Sequence, residues 1–117
     1  MRNFRELDIW KRSISLSKAI YKLTESFPDR EKYGLSIQIQ RATVSIASNI
    51  AEGASRKSEI DFARFLEIAI GSLYEIETQL LIAFDLGYIN QTKLDELLYN
   101  LDIIIKMTSK FRSTLKI

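Results

Sequence analysis

The chain has 117 residues, 46% apolar and 27% charged, a composition that suits one globular domain with a proper core and argues against disorder. It contains neither cysteine nor histidine, which excludes disulfides, thiolate nucleophiles, Cys/His zinc sites and imidazole acid–base chemistry. Its formal net charge is only +2, and its four glycines and one proline are too few for a turn-rich β domain.

Apolar periodicity predicts four helices over about 8–26, 35–54, 58–86 and 91–115, within one domain spanning 1–117. In the first, Ile9, Leu16, Ile20, Leu23 and Phe27 recur at threes and fours, with Trp10, Ile14 and Tyr21 widening the stripe. Asp8 reads as its N-cap, and Phe27-Pro28-Asp29 ends it, because a residue before proline disfavours helical backbone. The second follows Gly34, with Leu35, Ile39, Ala42, Ile46 and Ile50 as its core stripe. Its flank of Ser45, Ala47, Ser48, Ala51, Gly53 and Ala54 is uniformly small, so another backbone can come close, from this subunit or a neighbour.

Ser58 reads as the N-cap of the third helix, with Asp61 three residues on and Gly87 as the closing C′ glycine. Its seam is Phe62, Leu66, Ala69, Leu73, Ile76, Leu80 and Ala83, with Ala63, Ile70 and Phe84 beside it. The fourth opens near Asn90 or Thr92 and presents Leu94, Leu97, Leu98, Leu101, Ile104, Ile105, Phe111 and Leu115. Short joints force neighbouring helices antiparallel, so the expected fold is all-α, an up-down-up-down four-helix bundle. No stretch approaches the roughly 20 apolar residues of a membrane span. The opening residues begin no apolar run of signal-peptide type, so a cytoplasmic protein with no membrane partner is expected.

Charge is segregated along the chain. Residues 58–87 carry one basic side chain, Arg64, against six acids, whereas 1–28 carry six basic and three acidic, and 29–57 and 88–117 five and three each. Such a pattern makes one face basic and another acidic, which opens both nucleic-acid affinity and self-association between opposite faces.

An enzyme is not expected. Without histidine there is no Ser-His-Asp triad, and neither GxGxxG nor GxxxxGK[ST] occurs. No cofactor follows from the inventory. The best carboxylate cluster, Glu75 and Glu77 with Glu52, lacks the histidines that di-metal bundles add, so no metal is expected. Asn49, Glu52, Ser72, Glu75 and Glu77 read instead as a structural polar network that fixes bundle register. Glu77 falls on an apolar stripe, with Arg41 and Arg64 as candidate partners, since an unpaired buried charge is costly. A ligand pocket is the alternative. Arg41, Arg56, Lys57 and Arg64 are the candidate phosphate contacts, with Lys11, Arg12, Lys18 and Lys22 along the first helix and Lys106, Lys110, Arg112 and Lys116 along the last. The alternative for these is a solvated helical face.

The run Val44-Ser45-Ile46-Ala47-Ser48-Asn49-Ile50-Ala51-Glu52-Gly53 closely resembles the signature of the bacterial 23S rRNA intervening-sequence proteins, the four helix bundle protein family. So do Asp61-Phe62-Ala63-Arg64-Phe65-Leu66-Glu67-Ile68-Ala69 and Gly71-Ser72-Leu73-Tyr74-Glu75-Ile76-Glu77-Thr78-Gln79-Leu80. Leu7-Asp8-Ile9-Trp10 is similar to the family's helix-one opening, and Phe27-Pro28 with Tyr33-Gly34-Leu35 to its first turn. The resemblance implies a ring-shaped homopentamer. It also implies kinship with the accessory variability proteins of diversity-generating retroelements, which bind nucleic acid and a reverse transcriptase through a basic surface. Those proteins are markedly basic, whereas this chain has +2 overall and an acidic third helix. Two functions are therefore expected in competition. One is an oligomeric module binding RNA or DNA through a basic surface; the other is a ring-shaped adaptor for a protein partner without nucleic acid.

Overall fold

Hydrogen bonds at the helix ends show where each rod starts and stops. The computed structural model describes residues 2–117. It contains α1 (Asp8–Thr24), α2 (Leu35–Ala54), α3 (Glu59–Asp85) and α4 (Gln91–Ser113), with short 3-10 turns at Phe4–Glu6 and Asp29–Glu31. As expected, Ser58 caps α3: the Asp61 N–H donates to its hydroxyl at 3.1 Å. The Lys93 N–H donates to Asn90 at 2.8 Å and caps α4 in the same way. Gly87 has φ +82°, which a side chain would strain. Its N–H donates to Phe84 O and that of Tyr88 to Ala83 O, both at 2.9 Å, the paired closure of a Schellman end.

The start and end of α1 differ from expectation. Leu7 occupies the cap position without a side-chain bond, and Asp8 is the first helical residue, where its carboxylate still meets the positive end of the dipole. The side-chain cap falls earlier, on the 3-10 turn, where the Arg5 N–H donates to Asn3 Oδ1 at 3.2 Å. At the other end the helix stops at Thr24, because the chain tightens to three-residue bonds before Pro28: Ser26 N–H to Leu23 O and Phe27 N–H to Thr24 O, both at 3.1 Å.

The predicted stripes form one core. Ile20, Ile39, Ile46, Ile50, Leu66, Leu73, Ile76, Leu80, Leu97 and Leu101 are sealed from solvent. Tyr21 is the main exception, 46% exposed instead of widening the α1 stripe. Trp10 is half-buried, edge-on to Phe4 with ring centroids 5.2 Å apart. Packing is uneven: α2 lies most extensively against α3, and of the adjacent pairs α1 and α4 touch least. Of the small flank of α2, Ala47, Gly53 and Ala54 are buried and Ser48 is exposed. Gly53 is where a side chain is forbidden. A Cβ there would sit 2.7 Å from Phe65 Cβ and 2.8 Å from Phe62 Cδ1, so the glycine lets α2 and α3 converge on their short joint.

A second joint is clamped by side chains. Tyr88 Oη donates to Glu31 Oε2 at 2.7 Å, Arg30 donates to Tyr88 Oη at 3.4 Å, and the Leu35 N–H donates to Glu31 Oε1 at 3.1 Å. The Tyr88 bond, then the Leu35 N–H and the Arg30 charge, hold the Glu31 carboxyl below its ordinary range. The Glu31 carboxylate in turn raises the Tyr88 phenol. Among the described residues no helix is long and apolar enough to cross a membrane.

Gly53→Ala should lower the unfolding free energy by about 1–3 kcal/mol through overpacking, read from urea denaturation. Tyr88→Phe should destabilise the protein at neutral pH. A carboxylate depressed on folding stabilises above its unfolded pKa, and that gain fades as pH falls through the folded one. The gap between Tyr88→Phe and the unmodified protein should therefore close below the carboxylate range, as measured by urea melts across acid pH.

Candidate nucleic-acid interface

The antiparallel topology brings the first residues, the 55–58 joint and the C-terminus to one end of the bundle. The Arg2 N–H donates to Ala54 O at 3.0 Å, and the Lys116 N–H to Glu59 Oε2 at 2.6 Å. The Arg2 guanidinium pairs with Glu59 at 3.3 Å and lies 5.8 Å from the Phe62 ring centre and 5.2 Å from that of Phe111. Phe62 and Phe111 themselves meet edge-on at 5.5 Å. Arg112 pairs with Glu67 across α3 and α4. This end is thus tied down by cations that already have partners.

Arg56 belongs to that set. It pairs with Glu52 at 3.2 Å and lies 4.8 Å over the Phe65 ring, so it folds back on the bundle instead of projecting from the joint. Lys57 is exposed and, among the described residues, has no ion-pair partner. Arg5, Lys110 and Lys116 are also exposed at this end, and no ion pair forms at their side chains among the described residues. Arg2, Arg56 and Lys57 line a shallow depression of about 290 Å³ beside Ser58 and Phe62.

The four predicted phosphate contacts do not make one patch. Arg56 and Lys57 share the joint, and Arg64 is exposed about 8 Å further along α3. Arg41 lies about 20 Å from that end of α2, in a groove of about 240 Å³ with Ser45, Ser72 and Glu75. Sequence reading missed Arg2 and Arg5 as members of the basic end. Their signal was available in the topology, since antiparallel helices put residue 2, the second joint and the C-terminus together.

The predicted polar network separates into local pieces. Asn49 Nδ2 donates to Ser45 O at 2.7 Å and to Ser45 Oγ at 2.9 Å, and Ser72 Oγ donates to the same Ser45 Oγ at 3.0 Å, tying α3 to α2. Glu75 accepts from Gln79 at 3.4 Å within α3, and Glu52 is at the surface with Arg56. Glu77 is half-buried, and among the described residues neither Arg41 nor Arg64 pairs with it. Its flexible stem reaches water, and exposed ion pairs gain too little to hold long side chains together. Glu52, Glu75 and Glu77 do not converge either: among the described residues no three His, Cys, Asp or Glu side chains form a metal-sized group.

Four antiparallel helices with a partly cancelled basic end define an all-α bundle with a charged surface site. The family model described as 23S rRNA-intervening sequence protein matches residues 5–110, and the chain belongs to that family. A similar solved structure is a protein of unknown function from the S23 ribosomal protein family of Bacteroides thetaiotaomicron VPI-5482. It has a TM-score of 0.81 at 25% identity, over 91% of this chain and 99% of that one. Among curated proteins there is no match.

Asn49→Ala should cost about 0.5–1.5 kcal/mol, the usual net worth of a hydrogen bond lost between partly buried groups. Glu77→Ala should change stability by no more than about 0.5 kcal/mol, because it strands no buried cation. Chemical denaturation of the two variants side by side checks both.

Proposed function

We propose that the chain is a non-enzymatic, oligomeric binding module that takes up RNA through its basic end. One observation carries the reading: Arg5, Lys57, Lys110 and Lys116 gather at one end without ion-pair partners among the described residues. The nearby Glu52, Glu59 and Glu67 are occupied by Arg56, Arg2 and Arg112. Unpaired exposed lysines are the groups that exchange counterions for phosphates. The homopentamer implied by sequence resemblance repeats this cluster around one rim. Five copies carry only about +10 in formal charge, so the local arrangement matters more than the total. Repetition then converts a weak site into a multivalent one. Kinship with the retroelement accessory proteins points the same way. Lack of cysteine fits a reducing, cytoplasmic setting.

Binding of this kind is largely independent of sequence and falls steeply with salt. Lys57→Glu with Lys110→Glu should weaken affinity for a structured and a single-stranded RNA alike. It should also flatten the salt slope by about 1 for each phosphate contact removed, with thermal stability unchanged. Fluorescence anisotropy at low and physiological salt measures this. No binding by the unmodified protein at ~50 mM salt, where phosphate contacts are strong, would overturn the nucleic-acid reading in favour of a protein adaptor.

A further inference from the structure

The first joint, at the end of the bundle opposite the basic one, frames an open groove of about 410 Å³. Thr24 and Glu25 line it from the end of α1, Pro28 and Asp29 from the joint, and Ser36 and Gln40 from α2. Two tyrosines complete it, Tyr21 at 46% and Tyr33 at 86% exposure. Aromatic rings left this open gain little from packing within the protomer. Tyr33 already carries a cation at its ring: the Lys32 ammonium lies 5.7 Å from the ring centre.

Hydrogen bonding within the groove leaves acceptors over. Thr24 Oγ1 donates to Tyr21 O at 3.0 Å and accepts from Gln40 Nε2 at 2.8 Å. That orients the amide, and Gln40 Oε1 receives no donor among the described residues. Ser36 is only 7% exposed, yet its hydroxyl enters no hydrogen bond among the described residues. A polar group placed so deeply ordinarily has a partner. Glu25 and Asp29 are exposed and form no ion pair among the described residues, and the neighbouring Arg30 donates to Tyr88 instead. The end of α1 and the start of α2 present opposed dipole ends here, so side chains set the sign of the field. Two carboxylates against Lys32 make it negative.

We propose that this groove binds a linear alkyl polyamine. Its lining alternates as such a ligand does. Glu25 and Asp29 match ammonium groups, and the tyrosine faces attract the same cations. Phe27 and Pro28, between the two acids in the chain, and Ile37 from α2 match the methylenes. Gln40 Oε1 and the Ser36 hydroxyl accept the ammonium N–H groups that the carboxylates leave unmatched. A bare divalent ion needs converging oxygens, and among the described residues no three His, Cys, Asp or Glu side chains gather to hold one. Lys32 is a tethered stand-in, its ammonium at the ring that the ligand takes. Nothing in this site draws on the basic end or on assembly of the chain.

Isothermal titration calorimetry of the full chain with spermidine and putrescine, at low salt and without nucleic acid, tests the proposal. Both should bind, spermidine more tightly. Glu25→Gln with Asp29→Asn should weaken spermidine binding about tenfold, the loss of two exposed ion pairs. Tyr33→Leu should weaken it about threefold and Tyr33→Phe should not, because the ring face and not the hydroxyl holds the cation. Lys32→Ala should tighten it about threefold, by freeing that ring and removing a like charge. All four side chains are exposed, so circular dichroism melts of the variants should match the unmodified protein. No binding of spermidine at ~10 mM, or binding indifferent to the acid and Tyr33 variants, overturns the proposal. So does an equal response to magnesium, which would report general cation screening. Tighter binding of acetyl-lysine methylamide than of putrescine overturns it in favour of a lysine side chain from a protein.

Discussion

The close approach of α2 to α3 at Gly53 is the constraint from which the asymmetry of this bundle follows. With Phe62 and Phe65 lying where a Cβ would go, α2 settles against α3 and the short joint needs no detour. The Asn49–Ser45–Ser72 chain continues the contact further along the same seam. The opposite seam, between α1 and α4, is the least closely packed of the adjacent pairs and carries two surface depressions. Interiors pack densely, so one seam closed by small residues and another left with depressions reflects side-chain size, not looseness of the whole.

The two ends of the bundle are fastened by different physics. At one, a single hydrogen-bonded clamp of Glu31, Tyr88 and Arg30 links the first and third joints, and its strength depends on the ionised carboxylate. At the other, cations do the fastening: Arg2 over Phe62 and Phe111, Arg56 over Phe65, Arg112 with Glu67. Exposed ion pairs are each worth little. Their larger effect is electrostatic cancellation, which leaves a distinct subset, including Lys57 and Lys110, as the charges available to a partner.

Surface chemistry therefore divides by element. One end gathers Arg5, Lys57, Lys110 and Lys116, the outside of α3 carries apolar and mainly acidic side chains, and the α1–α4 seam carries apolar and basic ones. At a Debye length of about 10 Å or less each of these surfaces is felt locally, so the low net charge of +2 describes none of them.

The sequence alone determined the rods and their order. Stripes at threes and fours, the cap at Ser58, the opening of α4 near Asn90, the closure at Gly87 and the short joints are local signals, and local hydrogen bonding decides them. Family membership was equally legible, since small and polar runs such as Val44–Gly53 exceed what amphipathicity demands. The tertiary structure decided which charges are spent. Arg56 read as a candidate phosphate contact, yet Glu52 and Phe65 hold it. Arg41 read as part of the same set of phosphate contacts, yet the helix carries it some 20 Å from the joint. Glu77 looked buried by heptad spacing, yet a long side chain at the edge of a stripe reaches solvent. Periodicity locates a residue around its own helix. Only packing between helices says what stands opposite it, and pairing, burial and charge cancellation all depend on that second fact.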